Sequence, residues 1–190
     1  ERTKNGRARV VIGKDTRRSS YMFEYALVAG LTASGADVYL MHVTPTPSVS
    51  YITRVDEFDC GIMISASHNP FYDNGIKIIN GNGSKMDASV ENQIEAYIDG
   101  LIDEIPLATR ENIGRTTDYS SGRNRYIGYL MTLATRSFKN VRVGLDCANG
   151  ASSTVARYVF EALGAKVYVI NAEPDGTNIN DHCGSTHIEV

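Results

Sequence analysis

The sequence lacks tryptophan, has only five prolines, and contains no apolar run that approaches the length of a membrane-spanning helix. Such a helix needs about 20 consecutive apolar residues, so the sequence excludes one and we expect no membrane partner. Cysteine is also scarce: Cys60, Cys147 and Cys183 are widely spaced, and none belongs to a Cys-x-x-Cys pair. They predict reduced thiols in a cytoplasmic protein rather than a disulfide framework or a zinc site.

A large excess of charge of one sign is absent as well. The chain has 19 Lys and Arg against 22 Asp and Glu, which gives a net charge of -3. This balance argues against a broad nucleic-acid interface, but it leaves room for a local basic pocket that binds a small anion. Hydrophobic residues make up 42% and charged residues 22% of the chain. That composition is typical of a globular protein and excludes a disordered or fibrous one.

Hydrophobic patterning at the start of the chain predicts an α/β fold. Residues 9–13 form a short apolar run, residues 21–33 have helical periodicity, and residues 36–41 predict a second strand. Two strands joined by a helix favour a parallel βαβ unit.

The same order of elements returns later in the chain, with strands at 140–146 and 165–170 around a helix at 152–163. Gly13-Lys14-Asp15 corresponds to Gly144-Leu145-Asp146 in this weak repeat, which suggests two similarly folded domains. The alternative, that any two βαβ units resemble each other, stays open.

Between the two copies, residues 58–65 and 76–80 predict strands, and residues 90–105 predict a helix with one apolar face. A polar stretch near 113–121 is interpreted as a linker, and 123–138 as the first helix of the second domain. We therefore expect a first domain at 1–118 and the first half of a second domain at 119–190. Because a single βαβ unit makes a thin core, we expect the chain to be a fragment of a longer protein.

The loop between the strands at 58–65 and 76–80 is the most informative segment. It reads Ser65-Ala66-Ser67-His68-Asn69-Pro70-Phe71-Tyr72-Asp73-Asn74-Gly75 and is followed by Ile76-Lys77. The Asn-Pro step and the Asp-Asn-Gly turn predict a rigid bend that presents hydroxyl, imidazole and ammonium groups. The alternative is a polar turn with no catalytic role, since the Gly-x-Ser-x-Gly motif of hydrolases is missing.

Residues 64–77 closely resemble the phosphoserine loop of the α-D-phosphohexomutases. Residues 13–17, 146–151 and 175–187 agree with the same family, so the resemblance spans nearly the whole chain. It implies three-layer αβα domains with a mixed, mostly parallel sheet, and four domains in the complete protein. Ser65 before Ala-Ser-His-Asn-Pro is typical of members that convert glucosamine 6-phosphate to glucosamine 1-phosphate for cell-wall precursors. Members that act on glucose or mannose phosphates usually have Thr there.

The resemblance also implies roles for individual residues. Ser67 would carry the phosphoryl group through a bisphosphate intermediate, and Mg²⁺ would bind that phosphate. Lys77 and His68 match positions proposed for proton transfer or phosphate contact, and Arg17 and Asn69 would contact phosphate or substrate. For Lys77 the alternative is an exposed strand lysine, for His68 a hydrogen bond that stabilises the loop, and for Arg17 a solvated turn arginine.

Several family features are missing from these 190 residues. The metal loop Asp-Gly-Asp-x-Asp-Arg and the loops that select the sugar do not occur, so the other metal ligands are expected outside this chain. We expect the fragment alone to be inactive, its partner to be a small sugar phosphate, and a homodimer to be possible. A mutase acting on glucose or mannose phosphate, or a non-catalytic module that binds sugar phosphates, stays open as an alternative.

Overall fold

The computed structural model describes residues 6–103 and 105–189. The ends of the two predicted domains, at residues 1–5 and 190, lie outside the described residues, as does position 104 of the predicted helix 90–105. Within the described part, the first sheet has five strands. They are β1 Arg9–Lys14, β2 Asp37–Val43, β3 Cys60–Ile64, β4 Ile76–Asn80 and β5 Thr116–Asp118.

The strands of this sheet lie in the order β4-β3-β1-β2-β5. Strand β1 runs parallel to β2 and β3, and β5 runs parallel to β2, whereas β4 is antiparallel to β3. The predicted mixed, mostly parallel sheet is thereby confirmed. Because β4 is antiparallel to β3, the two strands are joined by a hairpin loop at residues 65–75 instead of a helix, and this loop forms the site.

Two helices, α1 (Arg18–Ala33) and α2 (Thr46–Val55), cover opposite faces of the sheet and complete three layers. Successive side chains of a strand point to opposite faces, and β1 follows this rule. Val10 and Ile12 pack toward α1, whereas Val11 packs toward α2 with Val49 and Ile52. All five side chains are at most 4% exposed, so the core lies on both faces of the sheet.

Helix α2 was not predicted from the sequence, because its β-branched residues have low intrinsic helix propensity. Pro47 occupies its first turn, where a missing N–H costs nothing. The helix lies very close to the sheet. A methyl group added at Gly13 would come within 2.5 Å of Val49 Cγ2 and 2.7 Å of Thr44 Cγ2. The lack of a side chain at Gly13 therefore sets the distance between α2 and β1.

The remaining described elements lie mostly in the second half of the chain. Strands β6 (Arg142–Asp146) and β7 (Lys166–Ile170) pair in parallel and form a separate sheet. The predicted βαβ unit is present here, although its helix is shorter than expected and is preceded by a 3₁₀ turn. The elements are α3 Ala88–Ile98, α4 Ser120–Thr132, β6 Arg142–Asp146, α5 Ala156–Ala162 and β7 Lys166–Ile170.

Three predictions about the middle of the chain were wrong. The helix predicted at 123–138 begins at Ser120 and ends at Thr132. The helix predicted at 90–105 ends at Ile98, and Gly100 follows it in the left-handed conformation (φ +69°). Ile98 and Leu101 are consequently 74% and 77% exposed. The predicted linker at 113–121 contains β5, which pairs with β2. Its three residues are polar and exposed at a sheet edge, so they give no hydrophobic periodicity. The domain boundary at 118/119 stays a prediction.

The three cysteines are free in the structure, and Cys147 and Cys183 are buried. Burial raises the pKa of Cys60 to about 11, so its unreactive thiol form predominates at neutral pH. Within residues 6–103 and 105–189, no helix is both long and apolar enough to cross a lipid bilayer.

The two glycines that correspond in the sequence repeat provide a test of the packing of α2. Gly13→Ala is expected to destabilise the chain by about 1–3 kcal/mol, because the added methyl group overlaps Val49 and Thr44. Gly144→Ala is the matched control, since nothing among the described residues lies within 4 Å of its added methyl group. It should leave stability unchanged or raise it by less than about 1 kcal/mol. Urea unfolding followed by circular dichroism measures both, and equal effects would contradict the explanation.

Candidate active site

The loop between β3 and β4 is closed at its base. Ser65 N–H donates to the Gly75 carbonyl at 2.8 Å, which continues the ladder of the two strands by one bond. Inside the loop, Asn69 N–H donates to Ala66 O at 3.2 Å. The Asn74 amide donates to both Ser19 and Ser20 on α1 at 2.9 and 3.0 Å. These bonds make the segment a fixed bend rather than a mobile flap.

Ser67 lies at the top of this bend, and its side chain is exposed. Its backbone is left-handed (φ +57°), a conformation that is uncommon for a residue with a side chain. Its N–H donates to Ser65 Oγ at 3.1 Å. Ser67 lines an open cavity of about 330 Å³ together with Asp15, His68, Cys147 and other residues from both halves of the chain. The serine predicted to carry phosphate is therefore accessible to a ligand.

Arg17 lies beneath the loop and is fully buried. One end of its guanidinium pairs with the buried Asp15 carboxylate. From the other end, Nη2 donates to the carbonyl oxygens of Ser67 at 3.2 Å and Asn69 at 2.6 Å. The alternative of a solvated turn arginine is therefore wrong. A direct contact between Arg17 and phosphate stays a prediction, because this guanidinium already holds the loop.

Lys77 reaches the loop from β4, and its ammonium donates to the Ser65 carbonyl at 2.6 Å. Lys77 is an exposed residue of β4, but partial burial of its ammonium lowers the pKa of Lys77 from its ordinary value of 10.5; the Asp15 carboxylate opposes this shift and the Arg17 guanidinium adds to it. A lysine with a lowered pKa is better suited to exchange a proton near neutral pH. His68 is exposed beside Ser67 and borders two cavities.

Asn69 is partly buried in the loop, and its amide donates to Asp73 at 3.1 Å. The backbone carbonyl oxygen of Asn69, which accepts a hydrogen bond from Arg17, has a second donor. The side-chain amide of Asn180 reaches it from the other half of the chain at 3.1 Å. No role for Asn180 was predicted from the sequence. The signal was present, since Asn180 belongs to the stretch 175–187 that agrees with the family, but no pattern links it to a loop more than 100 residues earlier.

Further contacts join the turn after β1 to the second half of the chain. Thr16 Oγ1 donates to the Asn149 carbonyl at 2.6 Å, and Arg18 N–H donates to the Gly176 carbonyl at 2.9 Å. The serine loop is thus enclosed on one side by the first sheet and on the other by the loops that follow β6 and β7.

A metal site made only of side chains does not occur in the part of the chain that the structure describes, where no three His, Cys, Asp or Glu residues come together. Asp15 is the carboxylate that lines the cavity with Ser67, but it is engaged by Arg17 and by the Ser20 hydroxyl at 2.8 Å. The described residues could therefore bind a cation mainly through a phosphate on Ser67.

Residues 1–103 match the family described as phosphoglucomutase/phosphomannomutase, alpha/beta/alpha domain I, which is more than half of the chain. The chain belongs to the phosphoglucomutase/phosphomannomutase family. The resemblance read from the Ser67 loop is thereby confirmed, and so is the α/β fold.

Individual relatives are similar over nearly the whole chain. The phosphoglucosamine mutase of Lachnoclostridium phytofermentans is 73% identical over 186 residues, which are 98% of this chain and 42% of that protein. The phosphoglucosamine mutase of Lachnospira eligens is 71% identical over 185 residues, 97% of this chain and 41% of that protein. A putative phosphomannomutase from Thermus thermophilus has a crystal structure with a TM-score of 0.70 and 27% identity, covering 92% of this chain and 39% of that one. The chain therefore spans about two fifths of the length of the curated relatives.

The buried ion pair beneath the loop leads to a stability prediction. Arg17→Met removes the cation and leaves the buried Asp15 carboxylate without its ion-pair partner, which is expected to destabilise the chain by about 3–5 kcal/mol. Removing the second charge as well, with Asp15→Asn, should recover part of the loss. Arg18→Met, at the exposed neighbouring position, is the control and should change stability by less than about 0.5 kcal/mol. Urea unfolding is the measurement; equal effects of the two arginine variants would contradict the assignment.

Proposed function

We propose that the complete protein is a phosphoglucosamine mutase that interconverts glucosamine 6-phosphate and glucosamine 1-phosphate by means of a phosphate carried on Ser67. The observation that carries this proposal is the exposed Ser67 side chain, held in a left-handed bend at the edge of an open cavity. The high identity to two phosphoglucosamine mutases supports the choice of substrate. A cytoplasmic location fits this substrate, and a homodimer stays a prediction.

The proposed reaction is an in-line displacement at phosphorus. A hydroxyl oxygen of the sugar phosphate attacks the phosphoryl group and releases its proton to water, the bond between phosphorus and Ser67 Oγ breaks, and a bisphosphate forms. Ser67 Oγ then needs a proton, which we assign to the Lys77 ammonium. In the second transfer the Ser67 hydroxyl attacks the other phosphoryl group and returns its proton to Lys77, the bond between that phosphorus and the sugar oxygen breaks, and the sugar oxygen takes up a proton from water. Splitting one difficult transfer into two easier steps is the general advantage of covalent catalysis.

Phosphate on Ser67 would bring about −1.5 to −2 charges at neutral pH, and this charge has to be offset before a neutral hydroxyl can attack. Lys77 and Arg17 are the cations that contact the loop. We assign His68, exposed next to Ser67, either to proton exchange or to phosphate contact. Asn69 is the proposed polar contact for phosphate or substrate, because it follows His68 in the same bend.

Mg²⁺ is the proposed cofactor, since it prefers hard oxygen ligands such as phosphate. Within this chain it would be held through the phosphate on Ser67, and its chemistry would be to neutralise charge on the phosphoryl group during transfer. The other ligands would come from the parts of the complete protein that this chain does not include. For that reason we expect no turnover by residues 1–190 alone.

A second candidate is a mutase that acts on glucose or mannose phosphate, which the family description itself names. The two candidates share the Ser67 chemistry and differ in the sugar. Turnover of the complete protein on glucosamine 6-phosphate, compared with glucose 6-phosphate and mannose 6-phosphate, distinguishes them. A non-catalytic module that binds sugar phosphates would turn over none of the three.

The role of Ser67 can be tested on the complete protein by intact-mass analysis. We expect a phosphorylated form that exchanges its phosphate with a hexose bisphosphate and that is missing in Ser67→Ala. The variant should keep its fold, because the side chain is exposed, and should lose turnover by several orders of magnitude. Ser84→Ala, at an exposed serine in the turn after β4, is the control and should keep both phosphate and turnover. Phosphate retained in Ser67→Ala would contradict the proposal.

The role of Lys77 predicts a pH dependence. If the ammonium donates the proton, turnover falls as pH rises through the pKa of Lys77, so the alkaline limb lies below pH 10.5 because that pKa is lowered. Lys77→Met should lower kcat by about 10²- to 10⁴-fold and abolish this limb. Lys85→Met, at a lysine 80% exposed in its side chain and paired with Glu91, should leave the profile unchanged. An unchanged alkaline limb in Lys77→Met would show that another group donates the proton.

A further inference from the structure

Two carbonyl groups of the serine loop are each held by a pair of donors. The oxygens of Ser67 and Asn69 accept bonds from Arg17 Nη2 at 3.2 and 2.6 Å. The same oxygens accept bonds from Asn180 Nδ2 at 3.0 and 3.1 Å. Arg17 belongs to the turn after β1, whereas Asn180 belongs to the segment that follows β7. One donor therefore comes from each half of the chain.

We propose that Asn180 is a positioning residue for Ser67: its amide holds the loop carbonyls so that the serine keeps the left-handed backbone needed for phosphoryl transfer. This inference rests on the proposed function for its catalytic consequence. The structural part stands on the two amide bonds alone. Asn180 lines the same cavity as Ser67, but its amide group donates to the two loop carbonyls, so we expect its effect on the reaction to pass through the loop.

The Asn180 side chain is aimed at the loop by its own backbone. Asn180 is left-handed (φ +59°), and its N–H donates to the Ala148 carbonyl at 2.9 Å. Asparagine adopts this conformation more readily than most residues. Asp146 fixes the same region, because one carboxylate oxygen accepts Ala148 N–H and the other accepts Gly184 N–H, both at 2.8 Å. The amide is thus presented from a rigid support at the carboxyl end of β6.

The left-handed backbone of Ser67 explains why hydrogen bonds to the loop carbonyls are needed. A non-glycine residue keeps an unfavourable conformation only where its surroundings fix it at several points. At Ser67 these points are the N–H bond to Ser65 Oγ and the carbonyl bonds from Arg17 and Asn180. If the Asn180 bonds are lost, the loop can relax toward an ordinary conformation, and the hydroxyl moves away from the line of transfer.

Asn180→Asp is the variant of choice for the test, because it keeps the size of the side chain and tolerates the left-handed conformation. It replaces the donating NH₂ group by an oxygen that repels the two carbonyls. Asn140→Asp is the matched control: Asn140 is also left-handed (φ +72°) and exposed, but it lies just before the amino end of β6. Both changes are made in the complete protein.

Two readouts are measured on each variant. The first is amide hydrogen exchange in residues 66–75, which we expect to become faster in Asn180→Asp and to stay unchanged in Asn140→Asp. The second is steady-state turnover, in which kcat should fall about 10- to 100-fold in Asn180→Asp while KM for the sugar phosphate stays the same. A role in overall stability alone would lower the unfolding temperature without changing kcat at temperatures where the protein is folded.

The outcomes separate this inference from the proposed function. Faster exchange together with a lower kcat and an unchanged KM supports the positioning role. Unchanged exchange overturns it whether or not the protein is active, and faster exchange with an unchanged kcat overturns it as well. A wild-type protein that turns over no hexose phosphate contradicts the proposed function. In that case the hydrogen exchange of residues 66–75 in the two variants still shows whether Asn180 fixes the loop.

Discussion

The buried guanidinium of Arg17 is the interaction on which the rest of the site depends. It neutralises a carboxylate in the interior, that of Asp15, and with its other end it fixes the serine loop through two carbonyl oxygens. A cation without any solvent contact is costly unless its hydrogen-bonding groups are used. Here Nη1 binds the carboxylate and Nη2 binds the loop, whereas Nε has no partner among the described residues. The stability of the first sheet and the shape of the site are therefore linked by one side chain.

The site also depends on the order of the strands. In the parallel part of the sheet, β1 ends at the turn that carries Asp15 and Arg17, and β3 ends beside it at the serine loop. Because β4 is antiparallel, the chain returns at once and brings Lys77 back to the base of the same loop. The ends of neighbouring strands thus bring a carboxylate, two cations and a hydroxyl to one edge of the sheet. These groups belong to Asp15, Arg17, Lys77 and Ser67.

Sequence reasoning predicted the parts of the fold whose residues are buried in a regular pattern. Strand β4 has the predicted bounds, and β1 and β3 are close to theirs, because their apolar residues are continuous. Helix α2 and strand β5 were missed for opposite reasons. The residues of α2 favour a strand on their own and are helical because of their packing against the sheet. Those of β5 are polar and exposed, and only the neighbouring β2 makes them a strand.

For the site, the motif around Ser67 was sufficient to predict the bend between β3 and β4, whereas the catalytic roles of Ser67 and Lys77 stay predictions. It did not predict that Arg17 is buried, because a cluster of charged and hydroxyl residues after a strand is ordinarily solvated. It could not predict the Asn180 contact, because the two segments meet only after the second sheet has formed. Local patterns identify chemical groups, whereas their partners are set by tertiary packing.

The short distance between Ser67 and the closed base of its hairpin has a consequence for any transfer reaction. Ser67 is two positions beyond Ser65, whose N–H closes the loop, and two residues of extended chain reach about 7 Å at most. The serine therefore cannot travel between the two ends of a hexose ring. In the proposed mutase reaction the phosphoryl carrier would therefore stay in place and the sugar would turn, which requires an enclosure wide enough for a whole ring to reverse.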